Sequence, residues 1–277
     1  MNRRTGFLVA AGCVAISTIM LLPLVYSMLA SIKPAAEAAA TPPTYLPHGI
    51  SLDSYRRLWD YQEGLLTYLG NSLGAAVLTI VLTLLLTVPA GYALARFPIP
   101  GKELIFIVLL LSLIVPYQAL LTPMFLMFAK IGLTNSAIGL AVLHTTIQLP
   151  FSLYILRNSF AAVPRETEEA AVMDGAGSLQ TLLRIFIPPT VPAVVTVTLF
   201  AFIASWNEFL GALVMMSAGE RFTLPVILAT ARTETSLGGT DWGMLQAGVT
   251  ISIIPCVLVY LLLQRYYMAG LMSGAVK

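Results

Sequence analysis

Long runs without a charged residue divide this chain into segments that can each cross a membrane. A transmembrane helix needs about 20 mostly apolar residues, because it rises about 1.5 Å per residue through a hydrocarbon layer about 30 Å thick. Every run exceeds that length, so we predict an all-α membrane protein with six transmembrane helices. The runs cover residues 5–32, 64–95, 104–129, 131–156, 185–207 and 242–264.

The composition indicates lipid as the main solvent of this chain. Only 10% of the residues are charged and the mean hydropathy is +0.86, whereas soluble domains contain about 25% charged residues. A closed β-barrel would instead show alternating segments of about ten residues, and the sequence has no such pattern. We therefore treat residues 1–277 as a single transmembrane domain.

The distribution of basic residues predicts which side of the membrane each loop occupies. Six spans place both termini on one side, and if that side is the cytoplasm, the inner segments carry nine Lys and Arg residues and the outer segments six. Two of the outer residues, Arg56 and Arg57, lie in the longest loop, where charge has less influence on orientation. The positive-inside rule thus favours a multi-pass protein of the cytoplasmic membrane with both termini in the cytoplasm.

A charged island interrupts the apolar sequence between the fourth and fifth predicted spans. Pro164 can occupy the first turn of a helix, where its missing N–H has no consequence. Gly175 can take the left-handed conformation that ends this helix, and Ser178 can cap a second one. We expect a helix–turn–helix in water that presents a docking surface, although a solvated loop without a partner would have the same composition. Its charged residues are Arg157, Arg165, Glu166, Glu168, Glu169, Asp174 and Arg184.

The spacing within this island resembles the EAA loop of binding-protein-dependent ABC import permeases. In that loop, E-A-A is followed after three residues by G, and after nine more by I-x-L-P. The one departure is Ile187, which stands where the family has leucine. We take the segment, together with Asp174, as the candidate ATPase-coupling site. The residues that match the motif are Glu169, Ala170, Ala171, Gly175, Ile185 and Pro188.

The resemblance implies the type I ABC importer permease fold, with this loop as the coupling helix in a groove of a cytoplasmic ATPase. It also implies that Glu169 pairs with a basic group of the ATPase. The implied partners are a second permease subunit in a heterodimer, two cytoplasmic ATPase subunits and an extracytoplasmic substrate-binding protein. ATP and Mg would bind to the ATPase subunits, and this chain would bind no cofactor.

The net charge of +2 is too small to suggest nucleic acid as a partner of this chain.

Several further segments resemble carbohydrate permeases, and in particular the maltose-type second permease subunit. The most informative is the run Trp206-Asn207-Glu208-Phe209-Leu210, which looks like the W-N-[ED]-[FY] element of the fifth span. Residues 223–226 and the tail 270–277 are similar to the same subtype. The resemblance covers the whole chain, with an importer core at approximately residues 68–265. It implies import of a carbohydrate or a related polyol, and the sequence does not identify which one.

Polar residues within the fourth span and at the end of the fifth span are candidates for the substrate pathway. These candidates are Gln148, Trp206, Asn207 and Glu208. A neutral amide both donates and accepts hydrogen bonds without the desolvation penalty of an ion, so we expect Asn207 to face the pathway. We expect Glu208 to make a helix-locking hydrogen bond. A structural role and contact with a passing sugar both stay open for these positions.

Two other classes of function have less support. A membrane-embedded enzyme would need a catalytic constellation, and the chain contains neither a G-x-x-x-x-G-K-[ST] loop nor an H-E-x-x-H motif. We therefore predict no catalytic residues and no ATP hydrolysis by this chain. His48 and His144 do not form a metal-ligand spacing, so we predict no metal site. A secondary transporter driven by an ion gradient is the alternative, but it would need ionisable residues at the midplane and paired repeats.

Overall fold

The computed structural model describes residues 3–40, 42–230 and 240–275, and it is helical, without β-strands in these ranges. The helices in its first half are α1 (Arg3–Ser31), α2 (Ala35–Ala38), α3 (Asp53–Trp59), α4 (Leu65–Arg96), α5 (Lys102–Leu111) and α6 (Tyr117–Lys130). Those in its second half are α7 (Ala137–Ala161), α8 (Arg165–Met173), α9 (Ser178–Thr181), α10 (Ile187–Trp206), α11 (Leu210–Met215), α12 (Leu224–Thr230) and α13 (Trp242–Ala275).

Within the described residues, five helical segments are long and apolar enough to cross a membrane. A sixth span results if the bent pair formed by residues 102–114 and 117–130 is counted as one crossing. The predicted number of spans is therefore reached only with this pair. The five continuous segments are Thr5–Ser31, Leu65–Arg96, Ala137–Ala161, Ser178–Trp206 and Trp242–Tyr266.

The third predicted span is broken rather than continuous. A short 3₁₀ turn, Ser112–Ile114, ends α5, and the chain then bends by 104° into α6. Val115 has an extended backbone with ψ 121°, and Pro116 precedes the first residue of α6. Proline disfavours the helical conformation of the residue before it and cannot donate a helix hydrogen bond. Pro116 therefore explains why an apolar run of this length does not form one straight helix.

The fifth span contains a π-helical turn, Leu182–Phe186, between α9 and α10. Pro188 and Pro189 follow in the first turn of α10, and the helical segment continues to Trp206. Because a proline cannot donate a hydrogen bond to the preceding turn, the two prolines interrupt the regular helix ladder directly after the π-helical turn. The two prolines thus lie within a continuous helical segment that begins in the charged island.

The larger of two compact units comprises residues 67–226 and the described part of residues 256–277. Its core lies where α7 and α10 pack along each other. One apolar cluster contains Leu140, Leu143, Ala212 and Met215. A second cluster lies at the opposite end of α7, beside the charged island, and contains Tyr92, Leu156, Phe160, Leu182, Phe186 and Val197.

The smaller unit comprises the described parts of residues 1–66 and 227–255. Most of α1 is exposed, and none of the window that defines its span is buried. At its end and in the following loop, Ser31 contacts the Tyr55 hydroxyl at 2.7 Å and Arg57 pairs with Asp241 at 2.8 Å. The long first loop is therefore held against the start of α13 by side-chain contacts.

Candidate functional site

The charged island folds into two short helices joined by a glycine turn. Pro164 is the residue before α8, with φ −57° and ψ 140°, so the prediction that it lies in the first turn is wrong by one position. Gly175 has φ +81°, and its N–H donates to the Val172 carbonyl at 2.9 Å. The left-handed helix stop predicted at Gly175 is thus confirmed, because glycine adopts this conformation without a clash from Cβ.

The second short helix, α9, begins without a side-chain cap. Gly177 occupies the cap position, so the prediction that Ser178 caps this helix is wrong. Ser178 is instead its first residue. The turn formed by Ala176 and Gly177 makes Ser178 the first residue of the helix instead of the cap residue before it. The sequence pattern alone does not distinguish these two starting positions of α9.

Most of the motif residues in α8 and its turn face solvent, and only one is buried. Glu169, Ala170, Asp174 and Gly175 are exposed, whereas Ala171 is 8% exposed and packs inward. The exposed side also carries large apolar side chains, which the sequence reasoning did not identify as part of the site. They are Val172, Met173, Leu179 and Leu183, and Met173 is 86% exposed. Exposed apolar patches are typical of surfaces that contact a protein or a membrane.

A depression of about 570 Å³ lies beside this exposed side. It is lined by Arg96, Arg165, Glu168, Glu169, Val172 and Met173. The two neighbouring glutamates differ in their surroundings, because Glu168 lies 3.7 Å from the Arg96 guanidinium and accepts a 3.4 Å hydrogen bond from the Tyr92 hydroxyl. Glu169 is exposed. The depression therefore has an anchored carboxylate on its inner side and an accessible one on its outer side.

The second half of the motif anchors the loop to the spans. Ile185 lies in the π-helical turn and packs against the cluster that contains Tyr92, Phe160 and Phe186. Pro188 is exposed in the first turn of α10. Ile187, which departs from the motif, is only partly buried against the same cluster. An isoleucine can fill this place because it has the same number of carbon atoms as the usual leucine.

The candidate pathway residues at the end of α10 divide into two groups. Trp206 is 2% exposed and stacks on Phe202, with ring centroids 5.7 Å apart. Asn207 is exposed, and its amide donates to the Ile203 carbonyl at 3.1 Å. A cavity of about 390 Å³ is lined by Tyr117, His144, Ile147, Ile203, Ala204, Asn207 and Glu208. Asn207 and Glu208 are thus brought together, whereas Trp206 lies outside this lining.

Gln148 lies apart from that cavity, within α7. It is 9% exposed, and among the described residues its Nε2 has no hydrogen-bond partner. His144, one turn earlier on the same helix, does line the cavity. Both are polar residues within an apolar span, and only the packing of the helices distinguishes their surroundings.

Glu208 joins three helices through hydrogen bonds. Its carboxylate accepts from the N–H groups of Gly211 at 2.6 Å and Ala212 at 2.8 Å, which lie in the first turn of α11. It also accepts from the Tyr117 hydroxyl of α6 at 3.1 Å and lies 3.3 Å from His144 Nε2 of α7. The other nitrogen of His144 contacts the Ser205 hydroxyl at 2.8 Å. The arrangement satisfies backbone donors and crosslinks helices at one wall of the cavity.

Chemically, this wall can bind hydroxyl groups. An amide, a phenol, an imidazole and a carboxylate supply both donors and acceptors. Among the described residues, no three His, Cys, Asp or Glu side chains gather into a possible metal site.

Comparison with known proteins identifies matches along most of the chain. Residues 87–271 match the family described as binding-protein-dependent transport system inner membrane component. The arabinooligosaccharides transport system permease protein AraQ of Halalkalibacterium halodurans is 31% identical over 100% of both chains. The trehalose transport system permease protein SugB of Mycobacterium tuberculosis is 34% identical over 93% of this chain and 92% of SugB.

A solved structure has the same fold as this chain. A chain from the crystal structure of a bacterial ABC transporter involved in the import of the acidic polysaccharide alginate superposes with a TM-score of 0.82. The two chains are 26% identical, and the match covers 96% of this chain and 97% of the other.

Proposed function

This chain belongs to the family of binding-protein-dependent transport system inner membrane components, and on that premise we propose that it moves a carbohydrate or a related polyol into the cell. It is a permease subunit of an ABC importer with the type I fold, and such subunits are transport components rather than enzymes. The names of AraQ and SugB, which specify arabinooligosaccharides and trehalose, support the carbohydrate class. Nothing supports the ion-gradient-driven alternative.

The observation that carries the ATP-driven mechanism is the two-helix loop at residues 165–181, which we call the coupling loop. Its exposed apolar side chains, including Met173 and Leu179, can enter an apolar groove of an ATPase subunit. Glu169 is exposed beside them and can pair with a basic group at the edge of that groove. Ala170 is exposed and small, so the partner can approach the helix backbone closely. Asp174 and Gly175 end the helix at this surface.

The remaining motif residues position this docking surface. Ala171 packs inward, Ile185 packs on the aromatic cluster, and Pro188 starts the helix that returns to the membrane. In this proposal, two ATPase subunits bind ATP and Mg, and this chain binds neither. An extracytoplasmic binding protein delivers the substrate.

The substrate pathway passes the cavity beside Asn207. Its amide can exchange its bond to the Ile203 carbonyl for a bond to a substrate hydroxyl, while Glu208 holds the cavity wall together. Trp206 does not line the cavity, and it supports the wall through its stacking contact with Phe202. Gln148 is a second pathway candidate, because its buried Nε2 has no partner in the described part of the chain.

A second permease subunit completes the translocation path as a heterodimer. The exposed surface of α1 supports this arrangement, because an apolar helix whose span is not buried within its own chain can be covered by lipid or by another subunit. Both termini and the coupling loop lie in the cytoplasm, as the distribution of basic residues indicates.

Docking can be tested with two charge reversals on the same helix. Glu169→Lys should abolish co-purification of the ATPase and ATP-dependent uptake, because it opposes the basic group of the partner. Glu166→Lys is the matched control, since Glu166 is an exposed glutamate of α8 that does not line the depression. Equal recruitment of the ATPase by both variants would contradict the docking proposal.

The carbohydrate class can be tested by reconstitution. Proteoliposomes that contain both permease subunits, the ATPase and the binding protein should accumulate at least one labelled di- or oligosaccharide or polyol when ATP is supplied. Accumulation of amino acids or peptides instead of every carbohydrate offered would contradict this part of the proposal.

A further inference from the structure

Arg96, the last residue of α4, lies at the junction between the coupling loop and the spans. Its side chain is only 5% exposed. One terminal nitrogen donates to the carbonyls of Phe160, at 2.6 Å, and Val163, which lie at and just beyond the end of α7. The other lies 3.7 Å from the carboxylate of Glu168 in α8. A single side chain thus contacts two helices other than its own.

The guanidinium of Arg96 also lies over an aromatic ring of the π-helical turn. Its central carbon is 4.7 Å from the centroid of the Phe186 ring. Arginine suits such a site because its planar fork can donate in several directions while its face stacks on a ring. The last carbonyls of a helix lack partners within it, so a cation there is favourable. Arg96 therefore connects α7, α8 and the turn that precedes α10.

The end of α4 is itself fixed against α7. The ring of Tyr92 lies 4.9 Å from that of Phe186 and 6.2 Å from that of Phe160, and its hydroxyl contacts Glu168. A Cβ added at Gly91 would lie 3.1 Å from the Leu156 side chain and 3.2 Å from the Arg157 backbone nitrogen. The end of α4, which carries Arg96, is therefore in direct contact with α7 and with Glu168 of α8.

From these contacts we infer that Arg96 is a positioning residue that transmits movement of the coupling loop to α4 and α7 through Glu168. This inference rests on the proposed docking of the loop to an ATPase. It assigns different tasks to two adjacent carboxylates: Glu169 faces the ATPase, and Glu168 faces Arg96. A purely structural role would make Arg96 necessary for folding or assembly but would leave the ratio of transport to ATP hydrolysis unchanged.

The experiment compares neutral variants of both partners in the complete reconstituted importer. Arg96→Gln and Glu168→Gln remove one charge each and retain a polar side chain of similar shape. Lys102→Gln is the control, because Lys102 is a cation of the adjacent turn whose ammonium donates only to the Phe97 carbonyl among the described residues. The measurements are bound ATPase, the rate of ATP hydrolysis with loaded binding protein, and substrate transported per ATP hydrolysed.

Both test variants should retain the ATPase and hydrolyse ATP within about twofold of the unaltered importer, while substrate transported per ATP falls about tenfold. Lys102→Gln should change none of the three quantities. The double variant Arg96→Gln/Glu168→Gln should be no worse than the more impaired single variant, because both changes break the same connection. Multiplied losses in the double variant would mean that the two residues act separately, and would overturn the inference.

An unchanged transport-to-ATP ratio in assembled Arg96→Gln or Glu168→Gln complexes would also overturn it. If Arg96→Gln does not accumulate, Glu168→Gln decides, since its side chain is 23% exposed in a short loop helix. Failure of the proposed docking has a different signature, namely normal ATPase recruitment by Glu169→Lys. The two failures can therefore be told apart in one set of preparations.

Discussion

At the scale of single residues, Asn207 is the most direct test of the substrate pathway. Asn207→Ala should lower the efficiency of uptake about three- to tenfold, as expected for the loss of one hydrogen bond to a neutral group. Assembly should be unaffected, because the amide contacts only a carbonyl of its own helix among the described residues. Uptake kinetics at several substrate concentrations check this, and unaltered kinetics would remove Asn207 from the pathway.

Glu208 should behave differently, because its carboxylate serves the protein itself. Glu208→Ala leaves the N–H groups of Gly211 and Ala212 without their acceptor and should cost about 1–2 kcal/mol of stability. Glu208→Gln retains one acceptor oxygen and should be tolerated better. In detergent, the purified Glu208→Gln variant should have a higher melting temperature than Glu208→Ala. A lower melting temperature for Glu208→Gln would contradict a helix-locking role.

At the scale of elements, the turn between α8 and α9 offers two glycines as a matched pair. Gly175→Val should strain the left-handed backbone at φ +81° by about 1–2 kcal/mol and should abolish uptake while the protein still inserts. Gly177→Val should have little effect, because Gly177 has φ −76° and an extended backbone. Neither position has a neighbouring atom within 4 Å of an added Cβ, so backbone conformation is the variable that differs.

At the scale of the whole molecule, orientation in the membrane can be read from one cysteine. Cys13 and Cys256 should first be replaced, and Ser178→Cys then introduces a thiol at an exposed position. We expect reaction with permeant reagents only, because we propose that the loop lies in the cytoplasm. Labelling of intact cells by an impermeant reagent would reverse the topology and, with it, the assignment of the coupling loop.

We also expect that this chain by itself does not hydrolyse ATP. The sequence contains no G-x-x-x-x-G-K-[ST] loop to hold a nucleotide triphosphate. The purified chain should therefore hydrolyse no ATP above a blank preparation, and hydrolysis should appear when the ATPase subunit is added. Turnover by the isolated chain at verified purity would falsify this expectation.

The sequence by itself determined the features that depend on the local chain. Charge-free runs predicted the approximate limits of the five continuous spans, since insertion in lipid depends on the apolar length of each segment, whereas the third predicted span is a bent pair of helices. Gly175 ends α8 as predicted because its position needs a left-handed backbone. The spacing from Glu169 to Pro188 was sufficient to indicate the family, and the family match over residues 87–271 confirms that prediction.

Only the tertiary structure decided which side of each element a residue faces. Glu168 and Glu169 are adjacent in sequence, but the approach of α4 makes the first an anchor and leaves the second exposed. The sequence does not reveal the contacts of Arg96, because its partners lie more than 60 positions away. Long-range packing also decided the neighbours of Glu208. Contacts of this kind depend on how helices meet, and the order of residues within one helix does not specify that.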